Sequence, residues 1–535
     1  MNTLIVALNS KYIHSALSVW YLKANCDVDC QVLECTINEP IDALYREIFS
    51  HNPDTIAFSC YIWNIDTVLK LAQMLKQARP EVTIILGGPE VSYDSRELLQ
   101  RYDFIDYIIC GEGERAFNSL INGDATAPGI TRRTADGIKV GQFQLIENLD
   151  DVKSPYTDEM LSRVPYGSVY YEASRGCPFN CGYCLSSTFK GVRRFSFERI
   201  KSDLTKICNS GVKQIKFVDR TFNCDAAYTI DFIKWLKDNT GEVNLHFEVA
   251  ADLLTDELID LLGSLPAGKV QLEAGVQSMN KCTIEAASRK TDLDKVISNS
   301  KRIMEQGNIH LHLDLIAGLP YEDYDSFKRS FDMVYAVHPH NLQLGFLKLL
   351  KGSRLREEEE HQFKFMDFAP YEVIGNKYIT PQELIHLHKI EETLDRYYNS
   401  GRFTSTLDYL ITGSPFDFYA SLADFAQFPS PPSADMLYEK LNDFAQDKKA
   451  TDLLKLDFLS STRHGRLPKC LDSGRDLKEI CFEYLKTAEP ENDARARYKQ
   501  VRLEYFETMN SYILFDYTKQ NPVTGRFEYK QIEVQ

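Results

Sequence analysis

Three cysteines within eight residues, Cys177, Cys181 and Cys184 of "SRGCPFNCGYC", are the side chains of this chain best equipped for chemistry. Thiolates hold zinc or iron–sulfur clusters, and a closed structural zinc site takes four ligands. No other cysteine or histidine falls between residues 164 and 204, and the next cysteine, Cys208, sits in a helix-like stretch. A four-iron cubane wants one outside ligand per iron, so three cysteines leave one iron open for a substrate or cosubstrate. Gly176, Pro178 and Gly182 let the chain wrap a compact cluster.

The elements that position this loop are legible from alternation. From about residue 167 the apolar runs "SVYYEAS", "QIKFVD", "NLHFEVA", "KVQLEAG", "HLHLDLIAG" and "NLQLGFLKL" are separated by helical stretches. Six βα units predict a parallel sheet that curls into a partial (β/α)6 barrel, with every strand's carboxyl end on one face. The cysteine loop follows the first of these strands, where such a fold places its chemistry.

Ahead of it, "TLIVAL", "VDCQVLEC", "TIAFSC", "TIILGG" and "YIICG" alternate with amphipathic segments such as "IDTVLKLAQMLKQARP". Five strands with crossover helices predict a flavodoxin-like, doubly wound parallel sheet, an α/β fold whose ligands bind beyond the strands' carboxyl ends. Residues 131–166 are polar and weakly periodic and read as a linker with a hairpin. After residue 360 the pattern turns helical and aromatic-rich. Thr380, Pro381 and Glu383 form a capping box at a helix start, and a hairpin is expected around Asn521–Gly525. The expected division is 1–130, a linker at 131–166, 167–360, and a mostly helical domain at 361–535.

Composition bounds the rest. With 26% charged and 44% hydrophobic residues the chain is an ordinary globular protein, and its net charge of -16 argues against a general nucleic-acid or anionic-membrane surface. No apolar run is long enough to span a bilayer, and the start reads as a buried strand, not a signal peptide. Thirteen cysteines suggest metal or redox chemistry in the cytoplasm more than a disulfide framework.

The C-x-x-x-C-x-x-C loop after the first strand resembles that of the radical S-adenosylmethionine (SAM) enzymes. The resemblance implies a [4Fe-4S] cluster on Cys177, Cys181 and Cys184, whose open iron takes the amino and carboxylate groups of SAM. An electron then cleaves SAM to a 5′-deoxyadenosyl radical. It further implies that Glu248, Gln277 and Asp314 hold the SAM ribose, that Arg289 pairs with the SAM carboxylate, and that Tyr183 packs near the adenine. The family's Gly-Gly-Glu at the second strand end is replaced here by "VDRTFN", which contains Asp219.

The doubly wound domain ahead of this core is similar to that of the cobalamin-binding members of the family. Ser59, the turn Gly87-Gly88-Pro89, and Gly111, Glu112 and Gly113, followed by Glu114, match that pattern and are expected at the cobalamin. Asp-x-His-x-x-Gly, which supplies a histidine to cobalt elsewhere, is absent; His14 is nearest by position. The resemblance implies a cobalamin-dependent radical SAM enzyme, with methyl transfer to an unactivated carbon of a small-molecule or unknown substrate. An electron donor such as flavodoxin or ferredoxin is implied as partner, with no membrane or nucleic acid. Two other readings remain at this stage. One is a tRNA methylthiotransferase, for which Cys60 and Cys110 at strand ends could hold a second cluster. The other is a non-catalytic cobalamin or redox sensor.

Overall fold

The structure is a computed structural model that describes residues 2–12, 15–164, 167–428, 431–463, 465–489 and 493–533. It divides into two compact units. One comprises Met1–Leu253, Glu285–Lys290 and Leu347–Asn376; the other comprises Leu254–Ile284, Thr291–Phe346 and Lys377–Gln535.

In the first unit, β1 (Thr3–Asn9), β2 (Cys30–Thr36), β3 (Thr55–Ser59), β4 (Thr83–Gly87) and β5 (Tyr107–Ile109) run parallel in the order β2-β1-β3-β4-β5. Helices on the faces of a parallel sheet bury its strands on both sides, which is why β1 and β3 are near-continuous apolar runs. All five residues of β3 are buried. The helix Ile65–Ala78 buries Ile65, Val68, Leu71, Ala72 and Leu75, one face at helical spacing. The strand order reverses between β1 and β3, and that is where such sheets bind ligands. Ser59 pairs with Gly87 and Gly87 with Ile109, so three neighbouring strands end level with one another. The segment read as a linker begins with a hairpin, β6 (Ile130–Thr134) and β7 (Gly137–Lys139), which adds antiparallel to β5 and extends the same sheet.

The second series opens in the same unit. β8 (Ser168–Tyr171) is followed by a two-stranded antiparallel ribbon, β9 (Ser174–Cys177) with β10 (Gly191–Arg194), that the alternation did not reveal. β11 (Gln214–Phe217) then pairs in parallel with β8 and with β12 (Asn244–Val249). The helices after β10 and β11 start on their own caps: Ser196 accepts from Arg199 N, and Asp225 from Tyr228 N.

The second unit continues the series with β13 (Val270–Gln277), β14 (His310–Ala317) and β15 (Asn341–Phe346), all parallel. In β13 and β14 burial alternates strictly, buried against half-buried. The half-buried set carries the polar residues: Glu273 and Gln277 on β13, His312 and Asp314 on β14. β12 in the first unit alternates likewise, with His246 and Glu248 in the half-buried register. The pairing of β13 with β14 slips between Gly275 and Gln277, and Gln277 has φ 71°. A bulge of this kind re-aims the side chain at a strand end.

β16 (Lys364–Phe365) and β17 (Val373–Gly375) form a small antiparallel pair in the first unit. The tail then enters the second unit with the helix Pro381–Leu394, whose capping box is as expected from Thr380 and Glu383. Asn399, just beyond it, lies against the edge of β15. Its amide oxygen accepts from Leu342 N at 2.8 Å, and its amide nitrogen donates to Leu342 O at 2.9 Å. Further helices follow, and then a three-stranded antiparallel sheet, β18 (Val501–Phe506), β19 (Ser511–Gln520) and β20 (Phe527–Ile532). The hairpin between β19 and β20 closes where the sequence placed it: Gly525 N donates to Asn521 O, and Asn521 N to Arg526 O. Among the described residues, no helix is long and apolar enough to cross a membrane.

Candidate functional site

Cys177 is the last residue of β9, opposite Gly191 in the ribbon. Gly176 before it has φ 99°, and a Cβ there would lie 2.2 Å from the Gly191 carbonyl oxygen. Only glycine lets the two strands approach this closely. The rest of the loop is stitched from outside. Gly182 N donates to Ala287 O at 2.8 Å, Leu355 N donates to Gly182 O at 2.9 Å, and Cys184 N closes a turn onto Cys181 O. Cys181 is buried, while Cys177 and Cys184 are half-buried. The Cys177 sulfur lies 3.5 Å from the Thr221 hydroxyl.

Arg289 reaches this loop. Its Nη1 stands 3.8 Å from the Cys181 sulfur and 3.3 Å from the Tyr183 hydroxyl. Burial pushes the Cys181 thiol up, and the Arg289 guanidinium pulls it back toward the thiolate that an iron needs. A cavity of about 750 Å³ opens beside the loop, with Lys190, Arg289, Lys290 and Arg354 among its lining residues, Glu285 as the acidic member of that lining, and Glu358 paired with Arg354. Such a wall fits an anionic group, a carboxylate above all.

Asp219, at the departure from the expected second-strand motif, supports this loop from beneath. It is 2% exposed and accepts from Ala173 N at 3.0 Å and from the Ser174 hydroxyl. Burial raises its carboxyl to about 7. Glu248, also in this unit, has Arg220 Nη1 3.8 Å away. In the second unit, Gln277 sits on its bulge with a buried Oε1 that finds no hydrogen-bond partner among the described residues. An orphaned acceptor of this kind suits a ligand hydroxyl. Asp314 lies 2.7 Å from His312 Nε2.

At the carboxyl edge of the doubly wound sheet, Ser59, Gly87 and Gly88 meet. Cys60 N donates to Gly87 O at 2.7 Å, and Gly88 has φ 116°. This glycine is required by the chain's own backbone. A Cβ at Gly88 would stand 2.5 Å from the Cys60 carbonyl oxygen, so the turn needs glycine before any ligand arrives. Gly87 has no such neighbour; a Cβ there meets Ile109 at 3.8 Å. Pro89 opens a short helix, Pro89–Ser92, and Glu90 behind it is buried against Lys351 at 3.1 Å and the Tyr371 hydroxyl. Gly111, φ 88°, is packed against the Gln144 backbone, and Gly113 caps the helix Glu114–Ile121. Glu112 is engaged by Arg193 and by Ile146 N, and Glu114 by Arg175. At the same edge, Tyr61 stacks on Trp63, with ring centroids 4.5 Å apart; Trp63 donates its indole N–H to Leu8 O and is 44% exposed. Nothing in the sequence reading singled out this flat, half-open ring. His14 lies outside the described residues.

Cys60 and Cys110 are both turned into the hydrophobic core of the sheet, at 0% and 1% exposure. Burial raises the Cys60 thiol, and its sulfur contacts Phe58 O, while that of Cys110 lies 3.5 Å from Thr131 Oγ1. Thiols buried in an apolar core in this way are inert rather than ligating.

Residues 3–121 match the family model described as a B12 binding domain, and residues 171–334 match that of the radical SAM superfamily. The chain thus matches a B12 binding domain followed by a radical SAM domain. Its tail, residues 359–533, matches a protein family of unknown function, DUF4080. The chain is 27% identical over 342 residues to the cobalamin-dependent radical SAM methyltransferase TokK of Streptomyces tokunonensis, covering 58% of this chain and 49% of TokK. It is 31% identical over 200 residues to the hopanoid C-3 methylase of Methylococcus capsulatus, covering 34% of this chain and 38% of the methylase. The chain spans about half the length, or less, of these curated relatives. Among solved structures, that of the cobalamin-dependent S-adenosylmethionine radical enzyme OxsB with aqua-cobalamin bound shares the fold. The TM-score is 0.62 at 14% identity, over 85% of this chain and 79% of that one.

Proposed function

We propose that this chain is a cobalamin-dependent radical SAM methyltransferase acting on an unactivated carbon of a small molecule. The observation that carries the reading is the three-cysteine loop with Arg289 at its buried thiol, in one chain with a doubly wound sheet whose carboxyl edge is open at Gly87 and Trp63. The bound cluster supplies the electron that cleaves SAM to a 5′-deoxyadenosyl radical, and cobalamin carries the methyl group.

The residues do the holding. Cys177, Cys181 and Cys184 would ligate three irons of the cluster. Arg289 would turn its fork to the SAM carboxylate, and the orphaned Gln277 Oε1 would accept from a ribose hydroxyl. Glu248 and Asp314 are the ribose's other acceptors, and Tyr183 flanks the adenine. The edge formed by Ser59, Gly87, Gly88, Pro89, Gly111 and Gly113 would meet cobalamin, with Trp63 as an added flat wall. The working division is a cobalamin domain at 1–130, a linker at 131–166, a radical SAM core at 167–360 and a tail at 361–535. The enzyme would work in the cytoplasm, reduced by a flavodoxin or ferredoxin.

The test is anaerobic reconstitution with iron, sulfide and hydroxocobalamin, followed by dithionite and SAM. The expected result is one cobalt and four irons per chain, with 5′-deoxyadenosine released on reduction. A chain that holds cobalt but releases no 5′-deoxyadenosine is a carrier or sensor, and the proposal fails.

A further inference from the structure

Glu112 and Glu114 directly follow β5 in a segment expected to touch cobalamin, yet their carboxylates point to arginines of the cysteine ribbon. Arg175, two residues before Cys177, has a side chain only 10% exposed with three carboxylates around it. Its Nη2 donates to Glu114 at 2.6 Å and its Nε to Glu172 at 2.9 Å, and its Nη1 stands 3.6 Å from Glu112. Its guanidinium carbon lies 5.2 Å from the Tyr21 ring centroid. Arg193, the cross-strand partner of Arg175, grips Glu112 with both Nη atoms, at 2.9 and 2.6 Å, and also donates to Ile146 O.

Glu112 is lowered by Arg193 and Arg175 against the cost of its burial. Burial raises Glu172, the third acid of the set. Buried ion networks of this kind rarely add stability over apolar packing, because desolvation offsets the Coulombic gain; their attested use is to specify one geometry. A planar guanidinium gripped at fixed angles by several carboxylates permits little sliding.

We propose that Glu112 and Glu114 are positioning residues: through Arg193 and Arg175 they lock the cysteine ribbon to the carboxyl edge of the cobalamin sheet, and so set the separation of cluster and cobalt. This rests on the function proposed above. The lock joins two elements that each carry a cofactor, and methyl transfer needs radical and methyl source to address the same substrate carbon. It also assigns Glu112 a role other than touching cobalamin.

The test uses the full chain with Glu112→Gln, Glu114→Gln and Arg175→Lys, each reconstituted as above, with metal content and melting temperature measured first. With cob(II)alamin and the reduced cluster both paramagnetic, their dipolar interaction in electron paramagnetic resonance reports the separation and its spread. The expected result is four irons and one cobalt retained, with the interaction broadened or shifted. Glu114→Asp, which keeps the charge, should restore it in part. Hydrogen exchange at ribbon amides 174–177 and 191–194 should rise at least several-fold in the Gln variants. Unchanged interaction and unchanged exchange in both Gln variants overturn the proposal. So does selective loss of cobalt in Glu112→Gln with ribbon exchange unaltered, which would return that residue to the ligand. A parent chain without cobalt refutes the functional reading instead, and the exchange measurement still decides the lock. If Glu114→Gln does not fold, Arg193→Gln, at 24% side-chain exposure, carries the test.

Discussion

At Arg289 two demands meet: its guanidinium steadies the Cys181 sulfur, and the cavity it lines is built for an anion. Removing one charge-assisted, two-pronged contact should weaken SAM binding about ten- to a hundred-fold. Arg289→Ala is therefore expected to keep its four irons while its SAM affinity, measured by anaerobic equilibrium dialysis, falls by that factor. Undiminished affinity would remove the residue from the SAM site. Glu322 gives a second prediction. It is 1% exposed, accepts from Ser278 at 2.5 Å and from Ser330 at 3.1 Å, and burial raises its carboxyl to about 7. With the folded value above the unfolded one, the folded state binds the extra proton between about 4.5 and 7. Its contribution to stability is thus highest at the acid end and declines as pH rises through that window, by on the order of 3 kcal/mol in all. Melting temperatures of parent and Glu322→Gln from pH 5 to 8 should diverge steadily, with the parent losing ground. Parallel curves would mean the carboxyl titrates normally.

Among the elements, the turn after β4 is where expectation and structure part most usefully. The sequence showed Gly-Gly-Pro at a strand end, a turn expected at the cobalamin. The structure puts the Cys60 carbonyl in the space a Gly88 side chain would fill. Gly88→Ala should accordingly cost about 1–3 kcal/mol of stability with no ligand present, read as a lowered melting temperature of the apoprotein; an unshifted melt would show that the turn can re-form. Gly87→Val is the sharper probe of the ligand, expected to lower cobalt retention at least ten-fold with iron unaffected. The strands, the cysteine loop and the Thr380 cap were legible because each is written in neighbouring residues: alternation, a three-thiol spacing, a Thr-Pro-x-Glu. The β9–β10 ribbon was not, since "SRGC" and "GVRR" have no apolar alternation and are paired only by glycine's close approach at Gly176. The Arg175 network was hidden for a related reason, because Glu114 lies 61 residues from Arg175 in sequence and no periodicity connects them. Cys60 and Cys110 misled in the opposite sense: position at a strand end suggested ligands, and side-chain direction buried them.

For the whole molecule the prediction is one of stoichiometry. The thiols proposed to hold the cluster lie at the end of the β9–β10 ribbon and in the loop after it, and the edge proposed to meet cobalamin lies on the doubly wound sheet, so the triple variant Cys177→Ala, Cys181→Ala, Cys184→Ala should lose all four irons and its brown colour yet keep its cobalt. Metal analysis of the parent and triple variant side by side checks this. Eight irons in the parent would instead place a second cluster in the chain and revive the methylthiotransferase reading. The tail bears on every such experiment through Asn399. A terminal strand with bare amides invites another chain to add to it. At β15 the two amide atoms of one asparagine occupy the main-chain donor and acceptor of Leu342, standing in for the strand that is not there. A domain of unknown function is thus also the hem of the sheet beside it. Cutting the chain at residue 360 would leave that border open to self-association, and an inactive, aggregated product would then report a lost seam rather than a lost catalyst.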